Sequence, residues 1–422
     1  MNKIKSYLFL SFVFASKVLF SQTAYTINID SCYVKALQNY PLVKQFQLIE
    51  KSKEYSLQNA NKAYLPVLNI AGQITYQSAV TELPIKIPNV NIESASKDQY
   101  KIYGEVIQPI TNLFLIKDQK ALLKSGAEIE TQKLEVELYN IKSRVEQIYF
   151  GILLIDAQIN QIELLKKDIN LGITKIEAAI ANGVALKSNE SLLKAELLKA
   201  NQKTIALKAT KTGFIEMLSL FINETLDENT ILETPAAKNI SNTINRPELK
   251  MFDLQKNIIS VQEKLILNKN LPQFNLYFQG GYGRPALNML SNEFDPYYIG
   301  GLKLTWNLSG FYTYATEKKI LKINENIAEV QEENFKYNIN MALKSQYNEI
   351  KKLGELINSD QEIITIREDI SSKAKKQLEY GVATTNDYIL YLNAESQAKQ
   401  DLEIHKIQLL IAQFNYNNTS GN

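Results

Sequence analysis

The chain has one cysteine and one histidine in 422 residues. A structural zinc site takes four such ligands and a disulfide takes two cysteines, so neither metal nor thiol chemistry has the residues it needs. Cys32 is expected to be a small buried residue and His405, on a polar helical stretch, an ordinary surface residue. Glycine (16) and proline (10) are scarce for this length, which argues against an all-β or loop-rich domain and for a mostly helical chain. The net charge is only +2, and Lys and Arg are interleaved with Asp and Glu throughout. No basic face forms, so nucleic acid is not a partner. Beyond the N-terminus no stretch offers 18 uninterrupted apolar residues, which leaves no candidate for a membrane-spanning helix. Acidic residues are plentiful, but they flank helical seams rather than converge, and Gly280, Gly281 and Gly283 in FQGGYGRP are not followed by a helix. No catalytic residues, no metal ligands and no cofactor are expected; the protein reads as a non-enzyme.

What is present begins with an export signal over residues 1–21. Lys3 and Lys5 precede the apolar run YLFLSFVFA, with cleavage expected after Ser21. The remainder is a duplication. At an offset of 206, Pro41 falls on Pro247, Pro66 on Pro272 and Tyr76 on Tyr282; at an offset of 198, Ile152 falls on Ile350, Gly183 on Gly381 and Asn189 on Asp387. Two copies of one supersecondary unit follow. They are placed at 22–222 and 247–422, joined by a polar segment at 223–246.

Each copy has the same order. A helix of moderate length (41–63, 247–268) stops before a Leu-Pro pair. Two strands of alternating apolar and polar residues come next: LNIAGQITY with YKIYGEVIQ, then FNLYFQGGY with YIGGLKLTWNL. Pro66, Pro272, Pro109 and Asn307 mark where the chain leads into or out of these strands. A very long helix follows. In the first copy apolar residues recur in steps of three and four from Leu134 through Ile180, broken only at Lys166. A sustained 3.5-residue period is the mark of a helix packed on neighbours along a supercoiled seam. Running from about 113 to about 180 it is on the order of 100 Å long. Its counterpart, from about 313 to 379, has a rougher seam interrupted by Gln346, Asp360 and Arg367.

Four strands are too few to close a barrel, yet an open sheet edge in lipid leaves backbone groups unpaired at several kcal/mol each. Closure therefore takes more than one chain, and three copies give twelve strands with room for a pore. Tyr100, Tyr103, Tyr297, Tyr298, Trp306, Phe311, Tyr312 and Tyr314 lie near the strand ends and are candidates for an aromatic girdle at the lipid interface.

The duplicated plan, the Leu-Pro pairs, the strand-to-helix stretches VIQPITN and LTWNLSG, and the interruptions IANGVALKSNESL and LEYGVATTNDYIL together resemble the outer-membrane efflux protein family, the TolC-like exit ducts. The resemblance covers nearly all of the chain after the signal. It implies a trimer with a twelve-stranded barrel in the outer membrane of a Gram-negative bacterium and a twelve-helix tunnel through the periplasm. It also implies a periplasmic adaptor (membrane fusion) protein and an inner-membrane pump as partners, and passive conduction of small molecules as the function. The polar segment at 223–246 is similar in place to the belt around that tunnel. Gly183 and Gly381 match the periplasmic tip, with Ser188, Asn189, Asn386 and Asp387 just beyond. An aspartate pair often rings the opening in such proteins; Asp387 matches the first member, but Leu390 stands at the second, and Ala383 stands where the best-known members carry a latching arginine. Asp387 is either a lumenal carboxylate or, like Asn189, a helix cap. The alternatives are the exit duct of a type I protein secretion system and, from another class, an exported coiled-coil structural or adhesive protein.

Overall fold

The computed structural model describes residues 26–81 and 95–422. The predicted signal segment, residues 1–21, lies outside the described residues. The elements run β1 (Thr26–Ile27), α1 (Ile29–Asn39), a 3-10 turn (Pro41–Val43), α2 (Lys44–Lys62), β2 (Val67–Tyr76), β3 (Asp98–Pro109), α3 (Asn112–Ala181) and α4 (Lys187–Ile222). They continue with β4 (Ile231–Leu232), α5 (Pro247–Lys269), β5 (Gln273–Arg284), β6 (Asp295–Thr305), α6 (Gly310–Glu379) and α7 (Thr385–Ser420). From α2 to α4 and again from α5 to α7 the order is helix, two strands, long helix, returning helix, as the duplication requires. The spatial grouping differs from the tandem one. One compact unit joins the described residues up to Ala36 with Val145–Ala236 and Ile357–Ile407; the other joins Leu37–Arg144, Ala237–Leu356 and Gln408–Asn422.

In the second unit, β2, β3, β5 and β6 form one antiparallel sheet in that order, so among the described residues β2 and β6 are edges paired on one side only. Pro66 and Pro272 directly precede β2 and β5, where a missing amide costs the ladder nothing. Pro109 closes β3, and Asn307 lies outside the sheet altogether: β6 stops at Thr305, three residues short of the predicted end. The reason is local. Asn307 Oδ1 accepts from the Ser309 amide (3.1 Å) and hydroxyl (2.6 Å), a turn that starts α6, and the Trp306 indole N–H donates to Asn270 O at 3.1 Å.

In the first unit the α3 seam is buried as its period predicts. Val145 and Ile152 are fully enclosed, and Ile148, Ile155, Ile162, Ile169, Ile173 and Ile176 are buried. Lys166, the break in the series, is paired with Glu163 at 2.8 Å. α3 also contains a window of mean hydropathy 1.3 that meets the length and composition of a membrane span, although apolar residues are not contiguous in it; those buried isoleucines pack within the protein. The rougher α6 seam is matched rather than mispacked. Buried Asp360 bonds His405 Nδ1 of α7 at 2.6 Å, so His405 is a partner of that carboxylate and not an ordinary surface residue. Gln346 donates to Thr419 at 3.0 Å in the second unit.

The sequence reading missed the packing around the linker. β4, inside the 223–246 segment, pairs in parallel with β1, and the Tyr149 hydroxyl lies between the carbonyls of Ile27 (2.8 Å) and Glu233 (2.6 Å). Cys32 is fully buried beside this joint, its thiol pushed up to about 11 by burial, as a small apolar residue would be. The Tyr33 hydroxyl donates to buried Glu146 at 2.6 Å.

Candidate functional site: a paired helix tip and a two-faced sheet

α3 and α6 end alike. Gly183 has φ 75° and Gly381 φ 72°, the left-handed conformation. The next residue's amide reaches back five positions, Val184 to Ala179 O (2.9 Å) and Val382 to Gln377 O (2.8 Å), while the glycine amides reach Ile180 O (2.9 Å) and Leu378 O (3.1 Å). This pattern satisfies carbonyls that a helix end leaves open, and glycine is required because a β-carbon there costs about 1 kcal/mol or more.

The returning helices start differently. In the second copy Thr384 and Asp387 bond reciprocally: the Thr384 amide donates to Asp387 Oδ2 (3.0 Å), the Thr384 hydroxyl donates to the same oxygen (2.6 Å), and the Asp387 amide donates to the Thr384 hydroxyl (3.1 Å). That is a capping box. The Thr384 hydroxyl and amide hold the Asp387 carboxyl below the ordinary aspartate range. The first copy has Leu186 at the cap position with no side-chain bond, and the Asn189 amide donates to Leu186 O at 3.0 Å. Asn189 is therefore not a cap; leucine offers it no hydroxyl to answer. Ser188 and Asn386 are exposed beside these turns, as are Val184, Leu186, Tyr380 and Val382.

Behind the tip, Tyr388 and Leu392 of α7 join Ile169, Ile173 and Ile176 of α3 and Leu193 of α4 in one apolar cluster. Tyr388 lies so close over Gly172 that a β-carbon there would stand 3.3 Å from its Cε1. Lys175 of α3 and Glu379 at the end of α6 pair beside this cluster, half-exposed. Sequence reasoning missed Tyr388, although its counterpart at an offset of 198 is the charged Glu190, a mismatch that marks where the two copies differ.

The sheet register separates two faces. Leu68, Ile70, Ile74 and Tyr76 share a face with Tyr100, Ile102, Val106, Phe274, Leu276, Phe278, Tyr282, Tyr298, Leu302 and Leu304. Asn69, Gln73, Thr75, Lys101, Glu105, Asn275, Gln279, Asp295, Lys303 and Thr305 occupy the other. The large side chains of the apolar face are exposed, with Ile70 at 87 %, Ile74 at 78 %, Leu68 at 73 % and Leu302 at 61 %; on the polar face those of the central strands are half-buried, and Asn69, Gln73, Lys303 and Thr305 of the edge strands are exposed.

The eight candidate girdle aromatics do not form one band. Tyr100 and Tyr298 lie on the apolar face toward the loop end of the strands. Tyr103 and Tyr297 are in register through Gly281 and therefore lie on the polar face, opposite Tyr100 and Tyr298, as the period of two requires. Trp306, Phe311, Tyr312 and Tyr314 lie at the helix end, with Trp306 edge-on to Phe311 at 6.5 Å and Phe311 edge-on to Tyr314 at 6.5 Å. Toward the loop end Phe294 stacks on Tyr282 at 5.9 Å, and Arg284 pairs with Asp98.

No family model and no curated protein matches the sequence. Solved structures do. VceC, an outer membrane protein of Vibrio cholerae, superposes with a TM-score of 0.66 at 12 % identity over 93 % of this chain and 96 % of its own. The CmeC outer membrane channel of Campylobacter jejuni gives 0.64 at 14 % over 93 % and 85 %, and the MtrE outer membrane channel of Neisseria gonorrhoeae, in its open state, 0.66 at 11 % over 93 % and 89 %. The chain has the fold of these outer-membrane channels. The fold expected from the sequence, long helical hairpins with four strands in two copies, is the fold observed.

Proposed function

We propose that this protein is the outer-membrane exit duct of a tripartite efflux system, passively conducting small molecules delivered by an inner-membrane pump through a periplasmic adaptor. One observation carries this reading. A four-stranded sheet leaves one continuous face of large apolar side chains exposed, gathers its polar side chains on the other, and among the described residues keeps β2 and β6 paired on one side only. A sheet in water buries its apolar face; one that lines a pore in hydrocarbon has this inverse arrangement and must close on itself. Three copies, edge β6 to edge β2, form a twelve-stranded barrel, and a head-to-tail contact of this kind closes into a ring. Ile320, Ile323, Ile327 and Val330, an exposed stripe of α6 at steps of three and four, supply the helical part of the same seam. The solved outer-membrane channels that share the fold support the placement.

In this assembly Tyr100 and Tyr298 belong to the outer aromatic band, and Trp306, Phe311 and Tyr312 to the inner one. Gly183 and Gly381 reverse the rods at the periplasmic end, and the exposed Val184, Leu186, Tyr380 and Val382 around them form the surface for the adaptor. Asp387 serves there as a cap. Fractionation tests the placement: after a carbonate wash the protein stays with the outer membrane, and recovery in the soluble fraction refutes it.

A further inference from the structure

The polar face of the sheet is not uniformly polar. Its rows read Gln73, Lys101, Gly283, Asp295; then Ala71, Tyr103, Gly281, Tyr297; then Asn69, Glu105, Gln279, Ile299; then Val67, Ile107, Tyr277, Gly301. Each tyrosine row contains a glycine. A β-carbon at Gly281 would stand 2.5 Å from Ile102 O and 2.7 Å from the Tyr103 β-carbon, so no side chain separates Tyr103 from Tyr297. At Gly301 a β-carbon would meet the hydroxyl end of the Tyr277 ring, 3.3 Å from Cε1, 3.5 Å from Cζ and 3.4 Å from the hydroxyl. The Tyr277 ring therefore reaches across to the neighbouring strand and lies against Gly301, where a larger residue would crowd it. Charge on this face cancels, with Lys101 and Lys303 against Glu105 and Asp295. The first-copy strand β2 has no aromatic in these rows, so the feature belongs to β3, β5 and β6 alone.

We infer that Tyr103, Tyr277 and Tyr297 form a stacking sleeve inside the barrel that holds planar aromatic solutes in transit. The inference rests on the exit-duct reading, which places this face around the lumen. Ring faces attract flat π-systems and, more strongly, flat cations, whereas a face without net charge gives no comparable hold on an aliphatic ion. With three copies the sleeve has nine rings.

The test is single-channel recording in planar bilayers with proflavine, a flat tricyclic cation, against tetraethylammonium at equal concentration. The inference predicts resolved blocking events with proflavine that last at least tenfold longer than any with tetraethylammonium. Replacing all three tyrosines with leucine shortens them about tenfold at unaltered open-channel conductance, and Tyr297→Phe preserves them. Equal dwell times for the two cations in the natural protein overturn the sleeve, and this comparison decides the matter even where the triple variant fails to insert. Absence of any conductance overturns the duct itself, a separate outcome.

Discussion

Asp387 illustrates how one side chain can be placed by chemistry alone. Its acceptor oxygen is taken by the Thr384 amide and hydroxyl, and its carboxyl is held below the ordinary aspartate range by those bonds. A depressed carboxyl contributes stability above the ordinary aspartate range and loses it as pH falls through the folded value. The protection of the amides at 384–388, their exchange relative to the intrinsic rate at the same pH, is therefore expected to fall below about pH 4 in the natural protein, following the ordinary aspartate range. In Asp387→Ala exchange should be several-fold faster at neutral pH and lack that acid step, with ion selectivity unchanged. Tyr388, next in the chain, is the opposite case: burial pushes its hydroxyl up to about 12, so it stays neutral, and its role is to fill the cluster over Gly172. Leu193, fully buried in that cluster, should cost about 3 kcal/mol as Leu193→Ala in reversible denaturation of the detergent-solubilised protein. The motif S/T-x-x-D made the second-copy cap legible in the sequence. Leu186, which has no hydroxyl to answer Asn189, makes its absence in the first copy equally legible. The Asp360–His405 bond was not legible, because its members come from different helices and no local spacing joins them.

At the scale of elements, period carried most of the information. The 3.5-residue recurrence from Leu134 to Ile176 specified a buried seam because nearly every position in it is apolar. The α6 seam was less clear, since its intruding residues make sense only beside α7. Strand alternation identifies all four sheet strands, but nearness to a strand end does not identify a face, and Tyr103 and Tyr297 lie on the face opposite Tyr100 and Tyr298. β1 and β4 have two residues each and no period to read. The glycine turns make a prediction here. Gly381→Ala, forced into φ 72°, should lower stability by about 1 kcal/mol and loosen the Val382 bond to Gln377, seen as faster exchange at 381–383. Gly281→Ala meets backbone at 2.5 Å rather than a flexible side chain and should disturb the β3–β5 ladder itself.

At the scale of the molecule, the exit-duct reading places the exposed apolar face of the sheet against lipid. A lysine at Ile70 should cost about 2–4 kcal/mol of membrane stability where the side chain meets mid-bilayer lipid, and lower the amount recovered in the outer membrane. A lysine at the neighbouring Asn69, on the polar face, should leave recovery near that of the natural protein; equal loss from both contradicts the two-faced reading. Legible from the start was the shortage that a four-stranded protomer faces in hydrocarbon, because it follows from counting strands. The mass of the detergent-solubilised particle, corrected for bound detergent, tests that shortage most directly. Three chains per particle is the predicted result, and a monodisperse single chain that remains soluble without detergent would contradict it.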